Sequence, residues 1–555
     1  MDYKSPTADI LFALEHGAAA SRLADWDAEL AREIVGQSAR FVDNEVAPLE
    51  PLADQSPPRM VDGRIKIEPK VVAAVKALYA GGWVGLSMPT ELGGQGLPRV
   101  LTTALLEMIA GASLNFMMLI SCPEAAMALV LNQGSEKQKK HYVPGLANGE
   151  FSSTIVLSEP QAGSDLSLMQ TKAQQDADGN WSISGNKVFI SNADHDLTAN
   201  IVHCILARVP DAGGGGLKDL TLFLCPAVLE DGSRNNIHIS RIEEKLGIHV
   251  TPTCQVSFEG AKAEIVGEPG QGLTRMFTMM NAMRLDVAAQ GTGMCEIATQ
   301  RSWAYAAERQ QGRSSVPKSG DGRAVAINRH GDIRRQLLTQ RAYAEGTRVM
   351  LYRTAVDLEL GHNPALVDLM TAVCKVLASD AAVESANMAI QIHGGYGFIR
   401  EYRVEQILRD ARICRIFEGT NGLHATNLAG RLIRIKNGAC VTAFEQEIAQ
   451  AGIENQAWAS ALGRAGAAWS EATDAVQQKT DSGFTAYAYM ELTGLVALAI
   501  AWSRLAAAAD QAPNPERTRE TADFVMNWML PEADFLARRI KEGPDNAEIS
   551  ETLFA

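Results

Sequence analysis

The stretch Trp181-Ser-Ile-Ser-Gly-Asn-Lys-Val-Phe-Ile190 follows the turn signal Asp176-Ala-Asp-Gly-Asn180 and has the pattern of a β-strand. Further strand candidates, each short and rich in β-branched or alternating residues, are Ile201 to Val209, Leu220 to Leu224, Asn236 to Ile242 and Gln255 to Phe258. Such strands with turns between them predict a small antiparallel barrel or sandwich from about residue 151 to 268. Because no helices alternate with these strands, a doubly wound nucleotide-binding sheet is not expected.

Outward from this β region, apolar residues recur at three and four spacing, which predicts helices on both sides. The helix candidates are Trp26 to Val46, Val71 to Leu78, Leu273 to Gln310, Ile333 to Leu360, Ala365 to Ile392 and Val404 to Arg412. The long helices after the β region fit a four-helix bundle. The segment from Arg313 to Asp332, with its proline and glycines, is predicted to be a loop.

The predicted fold class is therefore mainly α with a central β-barrel domain. Four domains are expected: an N-terminal helical domain over 1–150, a β domain over 151–270, a helical bundle over 271–440 and an additional acidic helical domain over 441–555. The last of these is interrupted at Gln511-Ala-Pro-Asn-Pro515 and at Pro531. It holds 17 acidic and 8 basic residues, and therefore most of the excess negative charge of the chain.

Composition places the chain among soluble, multidomain globular proteins: it has 555 residues, 46% of them hydrophobic, and a net charge of −14. The acidic balance argues against nucleic-acid binding. Eight cysteines without a CxxC pattern predict buried free thiols in a reducing compartment and no metal site. The acidic first fifty residues do not fit a secretory signal, so we expect a cytoplasmic protein. Apolar runs such as Leu495 to Ile500 fall short of the roughly 20 residues that span a bilayer, which predicts no membrane insertion.

Two glycine-containing polar clusters are candidate ligand loops. Leu157-Ser-Glu-Pro-Gln-Ala-Gly-Ser-Asp165 offers backbone N–H groups and hydroxyls to a phosphate or an aromatic cofactor edge, and a plain turn is the alternative. Gln391-Ile-His-Gly-Gly-Tyr-Gly397 lets the backbone approach a pyrophosphate, whereas spacing alone favours a helix C-cap with Gly394 left-handed. His393, alone beside these glycines, is expected to be structural.

The third cluster is Arg409-Asp-Ala-Arg-Ile-Cys-Arg-Ile-Phe-Glu-Gly-Thr-Asn421. Glu418 follows an apolar pair, and a carboxylate in a partly dry pocket has a raised pKa suited to a general base. The alternatives are a helix N-cap partner or an ion pair with Arg412 or Arg415. From the residues alone, the ion pair is favoured.

The three clusters, in this order and in a helical, β, helical frame, resemble the acyl-CoA dehydrogenase family. The motifs that carry the resemblance are Pro89-Thr-Glu-Leu-Gly-Gly-Gln-Gly96, Gly134 to Pro144, Ser158 to Asp165, Gly185-Asn-Lys-Val-Phe-Ile-Ser-Asn192, Lys245-Leu-Gly247, Gln391 to Gly395 and Phe417-Glu-Gly-Thr420. The likeness extends over about residues 75 to 435. The segment Tyr3 to Leu14 and the chain after residue 440 are similar to the longer branch that includes 3-methylthiopropionyl-CoA dehydrogenases.

The resemblance implies FAD-dependent α,β-dehydrogenation of an acyl-CoA thioester to the trans-2-enoyl-CoA, with a short or 3-methylthiopropionyl acyl chain suggested by the branch. In the family a carboxylate at the position of Glu418 removes the α-proton while the β-hydrogen leaves as hydride to the flavin. Backbone N–H of this same residue and a ribityl hydroxyl of FAD polarise the thioester carbonyl. Electrons then pass to an electron-transfer flavoprotein.

The resemblance also assigns binding residues. The FAD contacts are Leu157, Ser158, Ser164, Phe189, Ser191, Arg309, Gln391, Gly394, Gly395, Gly419 and Thr420. Phe189 and Ser191 stand where the family commonly has Trp and Thr. Arg309 and the Gln391 to Gly395 loop would hold the pyrophosphate and adenosine of FAD in a neighbouring subunit, which implies a homodimer or homotetramer. Ser164, Asn281 and Arg284 match positions that hold CoA and the edge of the acyl cavity.

Two departures from the family pattern bear on the site. After Arg309, Gln310-Gln-Gly312 replaces the usual Phe-Gly, and His424 replaces a frequent Gln. Two rival functions share the scaffold: a flavin oxidase, whose nitroalkane-type members use Asp as the base, and a non-catalytic nucleic-acid-binding protein with a basic C-terminal domain. Glu418 argues against the first and the acidic C-terminal region against the second.

Overall fold

The computed structural model describes residues 2–210, 212–313 and 324–553. Within them the chain forms mostly helices. In chain order the α-helices are α1 (Thr7–Phe12), α2 (Ala28–Phe41), α3 (Glu50–Gln55), α4 (Pro69–Ala80), α5 (Arg99–Ala112), α6 (Leu114–Gln133), α7 (Glu136–Asn148), α8 (Gly272–Glu308), α9 (Gly331–Glu359), α10 (Pro364–His393), α11 (Val404–Ala411), α12 (Asn421–Asn427), α13 (Ala439–Glu454), α14 (Ala459–Gln478), α15 (Ala486–Ala507), α16 (Pro515–Phe524) and α17 (Glu532–Glu542).

The strands lie between α3 and α4 and between α7 and α8. They are β1 (Arg59–Val61), β2 (Arg64–Lys66), β3 (Phe151–Val156), β4 (Lys172–Gln175), β5 (Trp181–Ser191), β6 (Asn200–Arg208), β7 (Leu220–Pro226), β8 (Ile237–Ile242) and β9 (Thr253–Ile265). The chain divides into two compact units. Unit 1 takes residues from 1–43, 103–112 and 287–555, and unit 2 takes 44–102 and 113–286.

Unit 2 contains a seven-stranded sheet with the neighbour order β3-β6-β4-β5-β9-β7, and β8 pairs with β9. Ile183, Ile205, Phe223, Val256 and other buried apolar side chains form its core. The sheet is not wholly antiparallel as predicted, because β3 runs parallel to β6, from Phe151 opposite Asn200 to Val156 opposite Ile205. A parallel pair needs a long crossover connection, here supplied by the chain that forms β4 and β5.

In unit 1 the helices that follow the sheet surround a buried charge cluster. The guanidinium of Arg348 on α9 donates to Glu107 Oε1 on α5, with Nε at 2.7 Å, and to Glu296 Oε2 on α8, with Nη2 at 2.9 Å. Tyr352 donates its hydroxyl to Glu107 Oε2 at 2.5 Å. The pKa of Arg348 is raised well above its ordinary value, because the two carboxylates outweigh the burial that opposes its charge. This cluster ties three helices together.

The C-terminal helices α13–α17 belong to the same compact unit as α9 and α10. Trp502 of α15 is fully buried and donates its indole N–H to the Ala342 carbonyl of α9 at 2.9 Å. Gly346 of α9 allows this close approach, because a Cβ there would lie 2.3 Å from Leu498 Cδ1. The segment after residue 440 therefore packs closely against α9.

Most predicted elements are found near their expected limits. The strand predicted at Trp181 to Ile190 is β5, and the helix predicted at Ala365 to Ile392 is α10. All eight cysteines are buried free thiols, as expected. The predicted loop from Arg313 to Asp332 lies partly outside the described residues. Its last two positions belong to α9, which begins at Gly331. The four predicted domain boundaries stay predictions.

Two helices, α6 and α15, are long and apolar enough to span a membrane by length and composition alone. The sequence analysis noted only the run Leu495 to Ile500 within α15, because it considered uninterrupted apolar residues. The structure buries 89% of the apolar window of α6 and 83% of that of α15. Packing inside the protein therefore accounts for their apolar side chains.

Replacing Arg348 with Met should strongly destabilise the protein, because two carboxylates would remain buried without their cation. The loss of one member of a buried ion cluster typically costs about 3–5 kcal/mol. We expect a clearly lower thermal unfolding midpoint by circular dichroism. Arg538→Met is the control, since Arg538 pairs with Glu542 on the surface and should leave the midpoint unchanged. Equal midpoints for the two variants would contradict a structural role for the cluster.

Candidate functional site

The predicted base, Glu418, lies on a short segment of unit 1 between a 3₁₀ turn, Arg412–Arg415, and α12. Its side chain is half-buried. Glu418 and Gly419 have φ angles of +54° and +86°, so two consecutive residues adopt a left-handed conformation. For a non-glycine residue this conformation costs about 1–3 kcal/mol and persists only where its surroundings enforce it.

Several hydrogen bonds enforce this conformation. Lys375, fully buried in the middle of α10, donates its ammonium to the Gly419 carbonyl at 2.8 Å and to Asn421 Oδ1 at 2.7 Å. The His424 ring donates from Nε2 to the Glu418 carbonyl at 3.0 Å. Thr420 caps α12 by accepting from the Leu423 N–H. The backbone on both sides of the Glu418 side chain is thus fixed by its neighbours.

The structure does not form the ion pair that the residues alone favoured. Arg415 lies with its Nε 2.6 Å from Asp380 Oδ1 on α10 and donates from Nη2 to the Tyr487 hydroxyl at 3.2 Å. Within the described part of the chain, neither Arg412 nor Arg415 pairs with Glu418. Sequence neighbours were the wrong choice of partner, because α10 passes beside this segment.

A second group of predicted residues in unit 1 lies where α10 ends. Gly394 caps α10 with φ +60° and ψ −136°, a conformation open only to glycine, so the predicted cap is present but is not left-handed helical. A Cβ built on Gly394 or on Gly395 would meet nothing within 4 Å. Gln391 is exposed in the last turn of α10. These residues form an open, glycine-lined surface.

Arg309 belongs to the same surface, because its guanidinium lies 5.6 Å from the centre of the Tyr396 ring. Behind it, His393 is buried, donates from Nδ1 to the Ala389 carbonyl at 2.8 Å and stacks on Tyr305 at 4.1 Å. Burial lowers the pKa of His393, so the ring is neutral and structural, in agreement with the sequence interpretation. An exposed cation beside an accessible backbone suits a phosphate ligand.

Three of the other predicted residues come together in unit 2. The Val188 N–H donates to the Ser158 carbonyl at 3.0 Å and thereby links the Leu157–Ser158 loop to β5 next to Phe189. A register shift in β5 between Lys187 and Ile190 places Phe189 at φ +60° with 67% of its surface exposed. An aromatic ring held out of the core in this way offers a contact face for a planar ligand.

Lys187, which the sequence analysis did not single out, supports this loop from behind. Its buried ammonium donates to the Leu157 carbonyl at 2.8 Å and to the Leu206 carbonyl at 3.1 Å, and pairs with Glu159 Oε1 at 3.0 Å. Burial lowers the pKa of Lys187 to about 8, against the opposing effect of Glu159. Glu159 in turn accepts from the Gln170 and Thr171 backbone N–H groups.

The remaining predicted residues are spread over unit 2. Ser191 is half-buried at the end of β5, opposite Thr253 of β9. Ser164 is exposed in its loop, and Arg284 donates from Nη1 to Asn281 Oδ1 at 2.8 Å within α8. Among the described residues no hydrogen bond joins Ser164 to Asn281 or Arg284. The search of the described residues for a metal-binding group of His, Cys, Asp and Glu side chains found none.

Four family models match successive parts of the chain. They are the acyl-CoA dehydrogenase N-terminal domain at 28–150, the middle domain at 154–261, the C-terminal domain at 270–433 and the acetyl-CoA dehydrogenase C-terminal-like domain at 440–548. The 3-methylmercaptopropionyl-CoA dehydrogenase of Ruegeria pomeroyi is 34% identical, over 98% of this chain and 99% of its own length.

Solved structures give a consistent comparison. An acyl-CoA dehydrogenase from Bacillus anthracis, solved in complex with FAD, superposes with a TM-score of 0.75 at 22% identity, over 93% of this chain and 88% of that one. A structure described as an electron transferring flavoprotein of Acidaminococcus fermentans has a TM-score of 0.63 at 26% identity. It covers 74% of this chain and 100% of that chain.

Gly394→Ala should destabilise the protein, because its backbone conformation is closed to other residues and the strain costs about 1–3 kcal/mol. Gly395→Ala is a matched control, since the neighbouring glycine has no such constraint and the added methyl group meets open space. The measurement is the thermal unfolding midpoint of each variant. Equal midpoints would show that the conformation of Gly394 is not required for folding.

Proposed function

The chain belongs to the acyl-CoA dehydrogenase family, and on that premise we propose that it converts an acyl-CoA thioester to the trans-2-enoyl-CoA with Glu418 as the base. The observation that carries this assignment is the clamped, strained backbone of the segment on which Glu418 lies. A carboxylate that must meet one particular C–H bond has to be held in a fixed place, since a displacement of 1 Å can reduce a rate about 10²-fold. An ordinary surface glutamate needs no such support.

The α-hydrogen of a thioester is a very weak acid, so its removal needs both a base and stabilisation of the developing enolate. Glu418 takes the α-hydrogen as a proton. The backbone N–H of Glu418 donates to the thioester oxygen, on which negative charge develops. The chemistry that FAD supplies when bound is acceptance of the β-hydrogen as hydride at the flavin N5. The substrate thus loses one proton and one hydride and gains a C=C bond.

The residues of unit 2 fit the flavin part of FAD. Phe189 offers an exposed aromatic face, and the Leu157–Ser158 loop next to it offers backbone groups and a hydroxyl. Ser191 would add a hydroxyl from the same strand. Lys187 helps to fix this loop, because its buried ammonium donates a hydrogen bond to the Leu157 carbonyl.

Residues of unit 1 fit the remaining contacts of FAD. Gly419 and Thr420 would meet the flavin beside the base. An open cradle for a pyrophosphate is formed by Arg309, Gln391, Gly394 and Gly395. A phosphate group can come close to the backbone there, because the two glycines carry no Cβ. We assign this cradle to the FAD of a neighbouring subunit, so that the working enzyme is a homodimer or homotetramer. This assignment is supported by the exposed position of the cradle.

For the substrate, Ser164, Asn281 and Arg284 are proposed to hold the CoA part. The Arg284–Asn281 hydrogen bond fixes the guanidinium on the surface of α8, where it can meet a phosphate. The acyl group is proposed to be short or to contain a thioether. Support comes from the relative in Ruegeria pomeroyi, a 3-methylmercaptopropionyl-CoA dehydrogenase that matches along 98% of this chain.

Further assignments concern the electron acceptor, the location and the domain structure. Electrons pass to an electron-transfer flavoprotein, in line with the structural neighbour from Acidaminococcus fermentans. The protein is proposed to work in the cytoplasm, since its buried free thiols fit a reducing compartment, and without membrane insertion, since α6 and α15 are mostly buried inside the protein. The sheet is proposed to close into a barrel, since β7 pairs with β9 on one side and with β6 on the other. The domains are proposed to end near residues 150, 270 and 440.

Glu418→Gln should keep its yellow flavin but fail to bleach when acyl-CoA is added without oxygen, because the amide cannot take the α-proton. Loss of a general base typically costs about 10²–10⁴-fold in rate. The measurement is stopped-flow absorbance of the oxidised flavin. Glu471→Gln, an exposed change far along the chain in α14, is the control and should bleach like the unaltered protein. Normal bleaching in Glu418→Gln would remove Glu418 as the base.

A panel of acyl-CoAs tests the substrate class. Anaerobic bleaching should be fastest with butyryl-CoA or 3-(methylthio)propionyl-CoA and at least about 10-fold slower with octanoyl-CoA, because one methylene that does not fit a pocket is worth roughly 10–200-fold. Branched and aromatic acyl-CoAs should also be slow. Octanoyl-CoA as the best substrate would reject a short-chain site and leave the dehydrogenase reaction intact.

A further inference from the structure

One carboxylate holds both ends of the segment that carries Glu418. Asp380 Oδ1 on α10 forms an ion pair with Arg415 Nε at 2.6 Å and accepts a hydrogen bond from Asn421 Nδ2 at 3.0 Å. Arg415 lies three residues before Glu418, and Asn421 lies three residues after it. The Asn421 amide group also donates to Ser379 Oγ at 2.9 Å. The placement of Glu418 therefore depends on the placement of Asp380.

The second oxygen of this carboxylate is held from α15, in the C-terminal region. Tyr487 donates its hydroxyl to Asp380 Oδ2 at 2.6 Å and accepts from Arg415 Nη2 at 3.2 Å. The three side chains form a closed triangle in which each touches the other two. Tyr487 thus connects the helices after residue 440 to the segment of the base.

We propose that Tyr487 is a positioning residue for the reaction: through Asp380 and Arg415, it holds the Glu418 segment in the conformation that removes the α-proton. The proposal deepens the proposed function and depends on it. It gives the C-terminal helices a role in the reaction, because Tyr487 of α15 is the outermost residue in this series of contacts.

The strength of the other contacts explains why a third partner is needed. The Arg415 and Asp380 side chains are 34% and 25% exposed, and an ion pair with that access to water contributes little by itself. With one oxygen unclaimed, the Asp380 carboxylate could rotate and release Arg415 or Asn421. The Tyr487 hydroxyl occupies that oxygen and also binds the guanidinium, so only one arrangement satisfies all three groups.

The strained backbone at Glu418 explains why loss of the Tyr487 contact should displace this segment. Its φ of +54°, followed by +86° at Gly419, stores strain that relaxes when an anchor is lost. Lys375 and His424 hold the carbonyls of Gly419 and Glu418 directly. The side near Arg415 is held by Asp380 and Tyr487. Loss of Tyr487 should therefore loosen the segment locally while α10 and α12 remain folded.

The test compares Tyr487→Phe with Tyr489→Phe in the purified holoenzyme. Tyr489 lies two residues further along α15 and is fully buried, and its hydroxyl pairs with Thr473 Oγ1 at 2.7 Å, within the C-terminal helices. Both variants lose one hydrogen-bonded tyrosine hydroxyl from one helix. Only Tyr487→Phe loses a contact with Asp380.

In anaerobic stopped-flow experiments, Tyr487→Phe should reduce the limiting rate of flavin bleaching about 10-fold, within the range that small misplacements produce. The substrate concentration that gives half of this rate should stay the same, because no substrate contact is altered. In hydrogen exchange, peptides spanning residues 413–423 should exchange faster than in the unaltered protein. Tyr489→Phe should show neither change, whatever its effect on the unfolding midpoint.

An Asp380→Asn variant tests the route. If Tyr487 acts through Asp380, Tyr487→Phe should add no further slowing to that of Asp380→Asn, whereas independent effects would multiply and overturn the proposal. Unchanged exchange over 413–423 in Tyr487→Phe would overturn it as well, even if Asp380→Asn does not fold. Failure of the unaltered protein to bleach with any acyl-CoA would reject the proposed function and with it a positioning role in that reaction. Bleaching that is equally fast in Tyr487→Phe would reject the positioning role alone.

Discussion

A buried ammonium group, that of Lys375, holds the backbone on which the candidate chemistry depends. It donates to the Gly419 carbonyl directly after Glu418, and its own burial leaves it no water to bind instead. An unpaired charge in that environment would cost several kcal/mol, about the same as the loss of a buried ion pair partner. The strained φ angles of Glu418 and Gly419 are therefore maintained by the need of Lys375 for acceptors. Hydrogen bonds from Lys375 to the Gly419 carbonyl and to Asn421 Oδ1 hold this segment and the start of α12 against α10.

Unit 2 uses the same device at its own ligand loop. Lys187 is fully buried and donates to the Leu157 carbonyl, and the nearby Phe189 has a left-handed backbone at the register shift of β5. In both places, a buried lysine donates a hydrogen bond to a backbone carbonyl of the candidate ligand loop: Leu157 in unit 2 and Gly419 in unit 1. Strain at the surface is balanced by a strong interaction beneath it, which lets the outward groups stay fixed before any ligand arrives.

The sequence predicts those parts of the structure that depend on local periodicity. The limits of β5 and α10 lie within one residue of the predicted ones, because an alternating strand and a long apolar helix are each determined by their own residues. The parallel pairing of β3 with β6 was not predicted, since pairing depends on the route of the chain between them. The glycine loops and Glu418 were singled out as candidates by their motifs, but the side chains that support them were not.

Those supports have a common feature that explains why they were missed. Lys375 lies 44 positions before Gly419, and Tyr487 lies 107 positions after Asp380, so no spacing rule connects them. Lys375 did leave a signal, a charged residue inside the apolar run Ala372 to Ala378 of α10, which is costly unless a partner exists. Tyr487 left none, because a half-buried tyrosine fits any helix of this kind.

The charge of the C-terminal region takes on a different meaning once its basic residues are placed. Although the region carries a negative excess, one of its arginines binds carboxylates of earlier helices. Arg517 reaches Asp9 at 2.6 Å and Glu345 at 3.5 Å, both far outside this region in sequence, and Arg504 binds Glu447 at 2.7 Å. Trp502 and Leu498 meanwhile pack against Gly346 of α9. Apolar contacts and ion pairs thus bind the C-terminal helices to α9, and this packing brings the Tyr487 hydroxyl of α15 within hydrogen-bond distance of the Asp380 carboxylate on α10.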